Sequence, residues 1–174
     1  MGPLHRDLED WDKASDYFEK AQTLVQAVEG PDSMSRWAVQ KMVIQNERAH
    51  VFLALASPEQ ALKELAEAIS LSRETAQEIL FLTRRLKYLG NAHHQLGQRK
   101  KARTYWESAL ETCHAGEKEN DAIRRERALL LLYLDRPDEA KPLIERFQDE
   151  KFGGISFWRE VHQLMGRQKP AHEP

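Results

Sequence analysis

One spaced pattern recurs four times along the chain: Ala14-x3-Phe18-x2-Ala21, Ala61-x3-Leu65-x2-Ala68, Ala102-x3-Trp106-x2-Ala109 and Ala140-x3-Ile144-x2-Phe147. Residues three, four and seven apart share one stripe of an α-helix. Each of the first three copies therefore presents two small notches around a large knob, which lets a second helix backbone approach closely. The leading alanines are 47, 41 and 38 residues apart. The other apolar residues also recur at three and four, without the turn-bounded alternation of strands. The expected fold is all-α, with helices near 10–28, 34–56, 58–73, 76–96, 99–114, 119–134, 137–150 and 156–166. Connections this short force neighbouring helices to pack antiparallel, as a row of helical hairpins.

Helix-end signals support these boundaries. Ser57-Pro58-Glu59-Gln60 offers a serine N-cap, a proline at the first helical position and a glutamine that could close a capping box. Asp135-Arg136-Pro137-Asp138-Glu139 repeats the device less regularly, and Gly30-Pro31-Asp32-Ser33 ends one helix and begins the next. Gly97 and Gly116 suit left-handed C-terminal caps, and Gly153-Gly154 breaks the chain before a short last helix.

The hairpin over residues 83–116 carries the fullest pattern: Leu86-x2-Leu89-Gly90 opens it, Gly97 turns it, and Ala102, Trp106 and Ala109 complete it. This resembles the tetratricopeptide repeat, in which a small residue of the first helix lets the second pack against it. Gly90 fills that place, with Ala49 and Ala128 in the flanking hairpins. The resemblance implies a short right-handed α-solenoid of about three and a half repeats, a single domain over residues 1–168. Its hairpins would lie near 34–73, 76–114 and 119–150, with a preceding helix at 10–28, a terminal capping helix at 156–166 and a flexible tail at 169–174. There are departures. His93 stands where the family has an aromatic, His114 replaces the end-of-repeat proline, and Pro142 sits inside a helix it should kink or shift. The alanine spacings all exceed the consensus of about 34 residues. Only residues 3–9 precede the first alanine helix, so the array is expected to start in mid-hairpin, as a fragment or with a partner supplying the missing surface.

At 174 residues, with 41% hydrophobic and 31% charged residues, eight glycines and seven prolines, the chain suits one folded domain and excludes collagen-like and low-complexity classes. A lone Cys113 cannot form an internal disulfide, and the longest apolar run, 128–134, is far short of a membrane span, so a cytoplasmic protein is expected. The net charge of −2 hides a segregation. Residues 1–82 hold 8 Lys/Arg against 14 Asp/Glu, residues 83–127 hold 11 against 6, and residues 128–174 hold 7 against 8. In a linear stack of helices the basic middle would remain one local patch.

Catalytic signals are thin. Cys113-His114 and His93-His94 are adjacent pairs, and adjacent helix residues point about 100° apart. Metal ligation on a helix favours i,i+4 spacing with further ligands. Phosphate-cradling glycine loops and nucleophile elbows are absent. The expectation is a non-enzyme without cofactor or metal.

Binding is the stronger expectation, because the resemblance implies an extended concave surface lined by first helices. It assigns Asn46, His50, Arg84, Lys87, Asn91, His94, Gln95, Arg125 and Tyr133 to that surface. Lys87 and Asn91 are one turn apart and can reach one anionic group, like half of a carboxylate clamp. The other half departs from the family, with Glu126 and Ala122 where an amide and a lysine would stand. The expected function is a scaffold or adaptor holding a protein or peptide segment of acidic character. The alternative is a sensor or oligomerisation segment of a larger regulator, since similar repeats occur in large bacterial signalling ATPases and transcription regulators. The basic run Arg99-Lys100-Lys101-Ala102-Arg103 falls on an outer helix and lacks interleaved aromatics, which disfavours nucleic acid. The helix 128–134 is apolar all round, so it is either covered by its own chain or the seam of a homodimer.

Overall fold

The computed structural model describes residues 10–27, 34–72, 79–114, 120–149 and 154–167. Within them the apolar stripes form eight helices and no strand: α1 (Trp11–Ala27), α2 (Met34–Ala54), α3 (Pro58–Ser72), α4 (Ile79–Gln95), α5 (Arg99–His114), α6 (Asp121–Tyr133), α7 (Pro137–Asp149) and α8 (Ile155–Arg167). The signals at Gly30–Ser33, Gly116 and Gly153, the 3–9 segment and the 169–174 tail lie outside the described residues.

Three hairpins are closed by one and the same turn. In each, a three-residue link carries a residue with positive φ in the middle: Ala56 at 53°, Gly97 at 73° and Asp135 at 61°. The amide after that residue donates back five positions, Ser57 to Phe52, Gln98 to His93 and Arg136 to Leu131, each at 2.8 Å. The positive-φ residue's own amide donates back three, to Leu53, His94 and Leu132. This is a Schellman arrangement, which satisfies carbonyls that the ending helix leaves without partners. The signals at 57–60 and 135–139 act differently from expectation. The Ser57 hydroxyl turns back to donate to Leu55 O at 3.4 Å, Asp135 takes the left-handed position, and Pro58 and Pro137 do begin their helices. A side-chain cap occurs at α6, where Asn120 Oδ1 accepts from the Ile123 amide at 2.9 Å. Helix α7 continues through Pro142 to Asp149.

The closest partners are consecutive: α2 lies along α3, α4 along α5 and α6 along α7. Each hairpin also meets the next, through α3 on α4 and α5 on α6, and the first helices touch in series, α2 to α4, α4 to α6 and α6 to α8. A close meeting occurs at Gly90. A methyl group there would lie 2.3 Å from both Cδ1 and Nε1 of Trp106, so α5 can hold its indole against α4 only because residue 90 has no side chain. Ala49 and Ala128, at the corresponding places of α2 and α6, are fully buried.

The core is segmented along the chain. Ala14, Phe18 and Val51 form one cluster, and Ala49, Leu53, Ala61, Leu65, Tyr88, Leu89 and Ala92 form a second. The largest joins α5 to α8, including Trp106, Leu129, Leu130, Leu131, Leu132, Ile144, Phe147, Phe157 and Val161. Residues 128–132 and Leu134 are all buried in it, so the chain itself covers the wholly apolar stretch of α6. Among the described residues no helix is long and apolar enough to cross a membrane.

Candidate functional site

Helix α4 is the spine of the site. Arg84, Lys87, Tyr88, Asn91, His94 and Gln95 recur at three and four, so they form one stripe. That stripe lines a cleft of about 490 Å³. Helix α2 contributes His50 and Leu53, α6 contributes Arg125, Glu126, Leu129 and Tyr133, and α8 contributes Phe157, Arg159, Glu160 and Gln163. Trp11 of α1 stands at one end.

The floor is a continuous chain of polar contacts across four helices. Trp106 Nε1 donates to Asn91 Oδ1 at 3.0 Å, and Asn91 Nδ2 donates to Tyr133 Oη at 3.1 Å. Tyr133 Oη in turn donates to Glu160 Oε1 at 2.7 Å. The same carboxylate oxygen lies 3.7 Å from Lys87 Nζ, which sits 2.8 Å from Glu126 Oε2. Glu126 Oε1 accepts from Arg84 Nε at 2.7 Å. The Asn91 amide thus has both ends engaged, and Glu126 ties two cations of α4 to α6.

Burial sets the electrostatics. Lys87 and Glu126 are 3% and 6% exposed. Burial disfavours the charge on Glu126, but the Lys87 ammonium and the Arg84 guanidinium outweigh it and hold the carboxyl down at about 2. For Lys87 the same contest raises the ammonium's pKa, with Glu126 and then Glu160 overcoming desolvation. Burial, reinforced by the negative charge of Glu47, pushes the Tyr88 phenol up.

Aromatic rings flank this floor. His50 stacks on Tyr88 at 5.2 Å between centroids and meets Trp11 edge-on at 5.7 Å. Tyr133 stacks on Trp106 at 4.9 Å, and His94 lies 5.5 Å from the same indole. The cleft therefore offers a charged, hydrogen-bonded base between apolar ring surfaces.

Of the residues the sequence assigns to a concave surface, His50, Arg84, Lys87, Asn91, His94, Gln95, Arg125 and Tyr133 all line this cleft. Gln95 also ties two helices together, donating from Nε2 to Leu53 O at 2.8 Å. Asn46 is not among the lining residues. It is 2% exposed, one turn before His50, with both polar atoms of its amide buried and unpartnered. Sequence reasoning missed Glu160, Arg159 and the Trp106 contact to Asn91; for Glu126 it left open a departure from a clamp or a local counterion of the basic residues, and the carboxylate does pair with Arg84 and Lys87. The i,i+3 pair of cations on α4, Arg84 and Lys87, is the sequence feature that Glu126 meets.

The other candidates separate. Cys113 is buried, with Sγ 3.8 Å from Thr83 Oγ1, while the neighbouring His114 ring pairs with Leu110 O at 2.8 Å. His93 stacks on Tyr105 at 5.3 Å, on a different side from His94. Among the described residues no group of three or more His, Cys, Asp or Glu is placed to hold a metal ion. The chain matches no family model, no curated protein and no solved structure.

Proposed function

We propose that this chain is a non-catalytic interaction module of the cytoplasm that holds an acidic segment of a protein or peptide partner in the cleft. The observation that carries the reading is the cleft's charge: Arg84, Lys87, Arg125 and Arg159 line it, against the two carboxylates Glu126 and Glu160. Contacts between α2, α4, α6 and α8 support a tetratricopeptide-like stack, a short right-handed solenoid with those helices on its concave side. Guanidinium groups suit carboxylates because their forked donors match two oxygens at once.

The test uses a fluorescein-labelled oligoglutamate peptide followed by anisotropy. Saturable binding is expected at low ionic strength, weakening as salt screens the charges. The double variant Arg125→Glu, Arg159→Glu should bind about tenfold more weakly or worse, since like charges then face the ligand. An unchanged affinity in that variant, or no binding by the wild type at low salt, would remove the assignment. Reversing Arg84 or Lys87 is a poorer test, because it sets new carboxylates against Glu126 inside the fold.

A further inference from the structure

The groups that face a partner's acid are already in use. Lys87 Nζ and Tyr133 Oη converge on one carboxylate oxygen, Glu160 Oε1, at 3.7 and 2.7 Å. Asn91 fixes the Tyr133 hydroxyl from behind by donating to it, which leaves the phenolic hydrogen for an acceptor in the cleft. The acceptor comes from α8, which packs on α6 and sets Phe157 against Phe147 of α7. Glu160 differs from Glu126 in this arrangement. The Glu126 side chain is 8% exposed and bonded to two cations, whereas that of Glu160 is 22% exposed and lies farther from the ammonium. One carboxylate is part of the floor; the other occupies its surface.

We propose that Lys87 and Tyr133 form a carboxylate subsite whose resident occupant is Glu160, and that an acidic side chain of the partner binds by exchanging with it. The inference rests on the acidic-segment reading of the cleft. Charge complementarity identifies the occupant: the cleft displays, in Glu160, the functional group that its ammonium and phenol accept. Exchange needs little rearrangement. When Glu160 swings toward solvent, Lys87 keeps its 2.8 Å contact to Glu126, and the incoming carboxylate takes the Tyr133 hydrogen bond. Arg159, one residue earlier on α8, also lines the cleft. Glu160 thus acts as a specificity filter. A single weak anion does not gain by replacing it, while a segment with several acidic residues can, because its other carboxylates engage Arg84 and Arg125.

Glu160→Gln tests this. The amide oxygen can still accept from Tyr133, so the packing of α8 is preserved while the competing charge is removed. The full chain and the variant are titrated with fluorescein-labelled oligoglutamate by anisotropy. In parallel, the Trp106 indole N–H is followed by NMR, since it reports on the Asn91–Tyr133 chain directly behind the subsite. The proposal expects the variant to bind several-fold more tightly than the wild type, with the indole resonance shifting on titration in both. Equal or weaker binding by Glu160→Gln, with affinity still lost in Arg125→Glu, Arg159→Glu, overturns the exchange and leaves the cleft assignment standing. Absence of binding by the wild type overturns the exchange together with the cleft assignment, whatever Glu160→Gln does. Circular dichroism of the variant serves as the folding control. If Gln at 160 proves destabilising, Glu160→Ser removes the charge with a small polar group and carries the same expectation.

Discussion

Glu126 shows how one side chain can make the cleft and also expose the fold to acid. It bridges Arg84 and Lys87 while nearly removed from water. A buried pair of this kind stabilises little against an apolar replacement, but losing one partner costs about 3–5 kcal/mol because a bare charge remains. Its carboxyl lies at about 2, below the ordinary 4.5. A depressed folded-state value means that the stabilisation is present above about 4.5 and is lost as the pH falls toward about 2. Glu64 has the opposite sign. Burial raises its carboxyl against the pull of Arg48, so its contribution is greatest in acid and fades as the pH rises through its raised value. We expect the urea midpoint of the wild type to fall on acidification through the lower window, and the fall to be shallower in Glu126→Gln. Parallel pH profiles would assign the acid sensitivity elsewhere.

At the level of elements, the three Schellman turns carry unequal residues at equal geometry. Gly97 suits its positive φ, whereas Ala56 at 53° brings a Cβ into a region that costs an L-residue about 1–2 kcal/mol. Ala56→Gly should therefore raise stability by about 0.5–1 kcal/mol after the greater freedom of the unfolded glycine is counted, and Gly97→Ala should lower it comparably. Denaturant midpoints of the two variants check both signs. These turns also mark what was legible in the sequence. Gly97 declares a left-handed end, but alanine and aspartate do not, so the turns at 56 and 135 could be located only roughly. The notches at Ala61, Ala102 and Ala140 follow from periodicity, whereas Arg84, Lys87, Asn91, His94 and Gln95 on α4 were named from the resemblance to tetratricopeptide repeats, and all five line the cleft. Glu160 was not readable, because its meeting with Tyr133 depends on how α8 rotates and slides against α6, and short-range spacing does not encode that register. Pro142 lies inside α7, which runs on to Asp149. Asn46, named from the same resemblance, stands one turn before His50, where neighbouring packing closes the position to solvent.

Across the molecule, a core divided into successive clusters predicts uneven stability rather than one uniform melting unit. The richest cluster gathers α5 to α8 around residues 129–132, while the cluster at α1 rests on Ala14, Phe18 and Val51 with Trp11 and Ile44 against them. Hydrogen exchange should be slowest in α6 and fastest, among the helices, in α1; equal protection in the two would show that the clusters melt together. The common turn lends the chain a property of written text, that it can be cut and respliced. Links at 55–57, 96–98 and 134–136 repeat one hydrogen-bond pattern, so a passage running from one link to the next starts and stops at the same backbone geometry. Deleting or copying such a passage is expected to keep the backbone geometry of the joint, which circular dichroism and denaturant melts of the spliced variants would check.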